Sequence, residues 1–200
     1  MDKSDSASSL SIPGTYEQTY RMSKKLKHIY TIGHSTLDID IFIGRLKTRG
    51  VRLLADVRTV PRSRFNPQFN RDTLPGDLAG VEIEYEYFSA LGGFRHSKLS
   101  NSPNTGWRSK TFRNYADYMM TGQFRAGLDL LIAAAMDKCT AIMCAEAVPW
   151  RCHRNLIADV LTIRGFRVMH IMSDKSLYEH SVTPWAHVSG MEITYPGLQA

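Results

Sequence analysis

Two periods alternate along the chain. His28–Ile32 is a short β-rich run stopped by Gly33-His34-Ser35. From Asp38 the spacing becomes helical, with Ile39, Phe42, Ile43 and Leu46 on one face and Gly50 as the stop. Val51–Val57 is a nearly unbroken apolar run, the pattern of a strand buried on both faces of a parallel sheet. Pro61–Gly80 has no long periodicity and reads as loop. Val81–Phe88 sets Val81, Ile83, Tyr85 and Tyr87 against Glu82, Glu84 and Glu86, which predicts a half-buried strand. Leu91–Phe94 reads as a turn and Ser100–Gly106 as a second polar loop. Helical spacing returns in Phe112–Met120 and Phe124–Met136, with Gly122 between them. Thr140–Cys144 is a buried strand. A helix follows from about Cys152 to Ile163, with Leu156, Ile157, Val160 and Leu161 inward and Gly165 as its end. Phe166–Met172 is the next strand, and 173–200, with Pro184 and Pro196, reads as mostly irregular.

This alternation predicts an α/β fold: a single three-layer (Rossmann-like) domain over residues 28–200 with a mostly parallel sheet. Residues 1–27 are Ser-rich and end in the basic cluster Arg21, Lys24, Lys25 and Lys27, the composition of a flexible polar tail. A length of 200 residues suffices for one full core. The longest apolar stretch, around Ala133–Met136, falls far short of the ~20 residues a spanning helix needs, and no secretory signal opens the chain. Three cysteines at no framework spacing exclude a disulfide scaffold and point to a reducing cytoplasm.

Charge narrows the partner. With 25 Lys+Arg against 19 Asp+Glu the net charge is +6, which suits an anionic ligand. The excess is concentrated. Residues 45–71 carry eight basic residues and one acid, Asp56; residues 94–114 carry five basic residues and none. Phe65, Phe69, Phe94, Trp107 and Phe112 interleave with them, a pairing suited to phosphate contact and base stacking. Residues 72–86 hold five acids and no base, so the surface is expected to be polarised. DNA, RNA or a nucleotide is the expected partner, and a membrane is not.

Ligands of such sheets bind outside the carboxyl ends of the strands, and every predicted strand end supplies polar or reactive groups. His34 follows the first, either as a proton carrier or as a hydrogen-bonded turn residue. Asp56 and Arg58 end the second on one face, with Asp56 either a general base or the group that holds Arg58. Arg62 follows, and Arg95 stands beyond the third strand. Cys144 ends the fourth, either as a nucleophile or as a small buried hydrophobe. Glu146 is a general acid/base candidate, or an ion-pair partner of Arg58 or Arg154. Cys152, His153 and Arg154 stand at a helix start, where free N–H groups attract anions. The expected catalytic set is His34, Asp56, Cys144 and Glu146; the expected anion-binding set is Arg58, Arg62, Arg95, Cys152, His153 and Arg154. Six residues separate Cys144 from Arg151, one more than the phosphate loop of cysteine phosphatases contains. No metal or other cofactor is expected, because consecutive helix residues point about 100° apart, which would keep Cys152 and His153 from one ion. A site from Cys144, Cys152 and the distant His34 or His170 stays open.

The motifs resemble the DUF488 family. The matching segments are Thr31-Ile32-Gly33-His34-Ser35; Asp56-Val57-Arg58 with Pro61 and Ser63; Tyr87 with Leu91-Gly92-Gly93; Tyr115–Met119; Met143-Cys144-Ala145-Glu146; Cys152-His153-Arg154; and His170-Ile171. They span about 28–173. The resemblance implies an α/β fold and a shared site, and supplies no reaction. Two functional readings follow from the residues. One is an enzyme acting on nucleic acid or a nucleotide-like phosphorylated substrate. The other is a non-catalytic nucleic-acid-binding module.

Overall fold

The computed structural model describes residues 27–97 and 99–197. The expected N-terminal tail lies outside them except for Lys27, as does Lys98 of the second basic stretch. The sheet begins with β1 (His28–Gly33) and continues with β2 (Leu53–Asp56), β3 (Glu84–Tyr87), β4 (Thr140–Cys144), β5 (Arg167–Ile171) and β6 (Leu177–Glu179). Their spatial order is β3-β2-β4-β1-β5-β6, all parallel except β6, which runs antiparallel to β5. The helices are α1 (Ile39–Thr48), α2 (Leu74–Ala79), α3 (Lys110–Met119), α4 (Gly122–Asp137) and α5 (Arg154–Ile163).

Strand side chains alternate between faces, and the core divides accordingly. Ile32, Leu54, Ala141 and Met143 pack with Phe42, Leu46, Leu74 and Leu78 of α1 and α2. Ile29, Ala55 and Ile142 pack with Tyr115, Phe124, Leu131, Leu156 and Ile157 of α3, α4 and α5. The result is the expected three-layer α/β arrangement. All five residues of the central strand β4 are buried, as its unbroken apolar run required.

Two stretches differ from expectation. The loop Pro61–Gly80 contains a 3₁₀ turn (Pro67–Phe69) and the short helix α2. Pro75 sits in the first turn of α2, where its missing N–H has no partner to lose, and Leu74 and Leu78 supply an i, i+4 pair to the core. Six residues are too few to show as periodicity. Residues 173–200 carry β6 and a hairpin of β7 (His187–Ser189) and β8 (Glu192–Thr194). Three-residue strands likewise leave no readable alternation. Among the described residues no helix is long and apolar enough to cross a membrane.

The topology places the site. The connection after β1 leaves through α1 onto one face, while that after neighbouring β4 leaves through α5 onto the other. The carboxyl ends of β1 and β4 therefore flank a crevice at a topological switch point. Gly33 and Cys144 are paired across it, and the backbone N–H groups of His34 and Ser35 donate to the carbonyls of Cys144 and Ala145.

Candidate active site

Loops from β1, β2 and β4 meet in two contiguous clefts. One, of about 340 Å³, is lined by Arg58, Val60, Phe94, Tyr115 and the group Cys144, Glu146, Arg151, Cys152 and His153. The other, of about 320 Å³, is lined by His34, Ser35, Thr36, Arg62, Ser63 and Asn66. Arg58, Val60, Ala145 and Glu146 belong to both walls. Glu146 is exposed at this junction.

Arg58 is built into the floor. Its Nε and Nη2 donate to both oxygens of Asp56, Nη2 donates also to the Phe69 carbonyl at 2.7 Å, and Nη1 lies 3.2 Å from His34 Nε2. Asp56 is fully buried and accepts in addition from the Arg58 backbone N–H and from Tyr85 Oη. Its oxygens are consumed, so of its two expected roles the geometry displays the holding of Arg58. A guanidinium has five N–H donors, so one N–H of Nη1 is left to face the clefts. Burial lowers the Arg58 pKa, but the Asp56 carboxylate outweighs it and the net shift is upward.

His34 is buried, stacked on Phe69 at a 4.2 Å centroid distance. Its Nδ1–H donates to the Ser35 carbonyl, so Nε2 is bare and accepts from Arg58. Burial, together with the Arg58 charge, lowers its pKa to about 4. Both ring nitrogens are occupied, Nδ1 by the Ser35 carbonyl and Nε2 by Arg58.

The sulfur group lies on the other side of the junction. Cys152 is extended backbone and His153 is the N-cap of α5, so neither lies inside the helix. The 100° argument against their joint use of one ion therefore does not apply. His153 Nδ1 is 3.5 Å from Cys152 Sγ and 4.0 Å from Cys144 Sγ. On the opposite edge of the ring, Nε2 lies 2.9 Å from the Val57 carbonyl. A carbonyl only accepts, so Nε2 carries the proton and Nδ1 points bare at both thiols. The thiols are driven apart in acidity. Cys144 donates to Cys152, and this together with burial pushes Cys144 up to about 12. Burial opposes ionisation of Cys152, but that donated bond, the Arg154 charge and the Arg154 backbone N–H overcome it and lower its pKa to about 6.

Glycine makes the assembly possible at two points. A Cβ on Gly33 would stand 1.9 Å from the Glu146 carbonyl oxygen. One on Gly93 would stand 2.3 Å from His153 Nδ1 and 2.6–2.7 Å from the two ring carbons beside it. Those near-equal distances place Gly93 over the ring face, clear of the Nδ1 lone pair.

Other predicted residues are drawn elsewhere. Arg154 is 1% exposed and lines neither cleft. Its guanidinium donates to Thr31 Oγ1 and to the Glu146 carbonyl, holding the loop that carries Glu146 from beneath. As an anion contact it is displaced by burial, while its charge still reaches Cys152. Arg95 donates to the Gly92 and Ser89 carbonyls and lies 4.0 Å over the Tyr118 ring, so it braces the Gly92–Gly93 turn. The basic excess of 45–71 is partly spent on ion pairs: Arg45 with Asp174, Arg52 with Glu82, Arg62 with Asp72.

Three contributors stand outside the expected catalytic and anion-binding sets. Arg151 lines the sulfur-containing cleft. Tyr115 lies under His153 at a centroid distance of 5.1 Å and donates to the Leu91 carbonyl. The third is a buried chain. Asp159 accepts from His180 Nε2, His180 Nδ1 meets His170 Nε2, His170 Nδ1 meets Thr31 Oγ1, and Thr31 accepts from Arg154. With a carboxylate at one end and a guanidinium at the other, one proton per contact is satisfied when Thr31 donates to His170, His170 to His180 and His180 to Asp159. Burial, with Arg154 and His180 nearby, lowers His170 to about 3, so it stays neutral. Of this chain, Thr31, Arg154 and His170 stand in the motifs legible beforehand, while Asp159 and His180 do not.

The family model described as "Domain of unknown function DUF488" matches residues 38–161, more than half of the chain. No curated protein and no solved structure matches it.

Proposed function

The chain belongs to the DUF488 family, and we propose that it is an enzyme acting on a nucleotide-like phosphorylated substrate, free or within a nucleic acid. The observation that carries this reading is the two-part cleft with Glu146 at its junction. One part offers hydroxyl, amide and guanidinium donors from Ser35, Thr36, Ser63, Asn66, Arg58 and Arg62. That donor set suits a phosphate. The other part offers Val60, Phe94, Phe112 and Tyr115 beside the Cys144–Cys152–His153 group. That wall suits a flat, partly apolar moiety such as a base. Glu146, exposed and in reach of both, is the general acid/base. Phe65 is 90% exposed and Phe94 67%, the first beside Arg62 and Arg64 in sequence. Exposed rings flanking a phosphate site favour a stacked strand as the larger substrate.

The test is incubation of the full chain with single-stranded DNA, RNA and mononucleotides, followed by chromatography and mass analysis. The expected result is chemical alteration of one class, absent in Glu146→Gln. Unaltered substrates, together with oligonucleotide affinity that falls steeply with salt, would overturn catalysis in favour of the binding module.

A further inference from the structure

Cys144, Cys152 and His153 bring three metal-binding atoms within 4.8 Å of one another. An ion bound tetrahedrally at ~2.3 Å from sulfur and ~2.1 Å from nitrogen sets S···N at roughly 3.6 Å. The observed S···N separations are 3.5 and 4.0 Å. Closing the longer one asks for a few tenths of an ångström, within side-chain adjustment.

The surroundings are arranged for ligation. A histidine ligand needs one bare nitrogen and is commonly oriented by donating its other N–H to a carbonyl. His153 does this through Nε2 to Val57. Its Nδ1 lone pair is left clear because Gly93 packs over the ring face. The Arg154 backbone N–H lies 3.5 Å from Cys152 Sγ and supports a bound thiolate. Arg154 itself is a buried cation with no carboxylate within ion-pair distance among the described residues, and its Nε has no hydrogen-bond partner. Two thiolates cancel the charge of a divalent ion, so such a centre adds no net positive charge beside Arg154.

We propose that Cys144, Cys152 and His153 hold one zinc-class divalent ion, with its fourth coordination position open to the cleft. Three protein ligands and a vacant position are the form of a catalytic centre, whereas structural zinc sites are closed by four. Two thiolates and an imidazole select a borderline-soft ion over magnesium or calcium. Ion binding stands on this geometry alone; its use in catalysis rests on the function proposed above. In that use, water in the open position gives a proton to Glu146, and the resulting hydroxide adds to the electrophilic centre of the substrate. Glu146 then returns the proton to the leaving group, so the net reaction is hydrolysis.

The experiment uses the full chain, purified under reducing conditions and stripped with a chelator. Zn²⁺ or Co²⁺ is then titrated and bound metal counted. One ion per chain is expected, with Co²⁺ giving thiolate charge-transfer absorption. Cys144→Ser, Cys152→Ser and His153→Ala should each weaken binding about 10–100-fold or more, while Glu146→Gln keeps the ion. Circular dichroism checks that each variant folds. A second measurement needs no variant: Zn²⁺ should protect Cys144 and Cys152 of the native chain from alkylation and leave Cys139 reactive. Absence of uptake, uptake indifferent to the three variants, unprotected thiols, or a Cys144–Cys152 disulfide formed under reducing conditions would each overturn the site. Metal uptake without any altered nucleotide would instead remove the proposed function and leave the site standing.

Discussion

The Nε2–H of His153 donates to the carbonyl of Val57 across 2.9 Å, and this one contact fixes the chemistry of the ring's other edge. Val57 follows the last residue of β2, while His153 caps α5, 96 positions later. The bond sets the tautomer, the tautomer bares Nδ1, and Nδ1 faces the two sulfurs.

That edge depends on the absence of a side chain at Gly93. A methyl group there would stand 2.3 Å from Nδ1, so Gly93→Ala must push the imidazole away from Val57, the sulfurs or both. The expected outcome is loss of metal uptake and of turnover in a chain that still folds. Uptake at native affinity in Gly93→Ala would show that ion binding does not depend on the ring position that Gly93 allows.

Asp56 and Arg58 form an ion pair only 0% and 5% exposed, respectively. Removing one partner from a buried pair leaves an uncompensated charge and destabilises by about 3–5 kcal/mol. Asp56→Asn is therefore expected to lower the urea midpoint strongly. A loss below about 1 kcal/mol would mean that the carboxylate does not anchor Arg58.

Glu146 is solvent-exposed, and it is its main-chain carbonyl that accepts from Arg154. Glu146→Gln keeps that backbone contact. The substitution is expected to leave the unfolding midpoint within experimental error while reducing turnover about 10²–10⁴-fold, the range of general acid–base contributions. An equal loss of stability and rate would make the residue structural.

Acid should weaken the fold before its carboxylates titrate. His34 and His170 have pKa values lowered to about 4 and about 3. As pH falls below 6.5 the unfolded chain takes up protons at both positions while the native chain does not, so stability decreases down to those values and is unaffected by them above 6.5. His34 faces Arg58, Asp56 and Arg154; His170 faces His180 and Arg154. At 1.36 kcal/mol per unit, the shifts correspond to roughly 3 kcal/mol for His34 and roughly 5 kcal/mol for His170. Urea unfolding between pH 6.5 and 5 measures the slope, and a flat profile would place both rings in a protonated state inside the native fold.

If a nucleic acid strand lies across the clefts, the exposed groups at their rim should contribute affinity without chemistry. Phe65→Ala is expected to weaken single-stranded oligonucleotide binding by about 1–3 kcal/mol, and Arg62→Ala to reduce the salt slope by about one. Fluorescence anisotropy at several salt concentrations measures both. Undiminished affinity in the pair would confine the substrate to a mononucleotide.

Hydropathy alone located the strand core. The run Thr140–Cys144 appeared as an unbroken apolar segment because a strand buried on both faces has no polar side to show, and its predicted bounds coincide with β4. The α1 face was legible for a similar reason: Phe42 and Leu46 recur at the helical period. Helix α2 was not, since its two buried leucines give one repeat inside a stretch with three prolines. The start of α5 was legible only approximately: the spacing predicts it at about Cys152, whereas Cys152 is extended, His153 is the cap and the helix begins at Arg154.

The sequence by itself determined the order of β1 to β5 and of α1, α3, α4 and α5, and that reactive groups gather where strands end, because both follow from periods of two and 3.6 that act over a few residues. Only the tertiary structure decided what each group does there. Arg58, Arg95, Arg151 and Arg154 are equivalent as letters. Arg58 keeps one donor for the clefts, Arg151 lines one of them, Arg95 braces a turn, and Arg154 is buried against Thr31, 123 positions away. A side chain's partner, exposure and charge state are set by contacts across the sheet, and those arise only when distant segments pack.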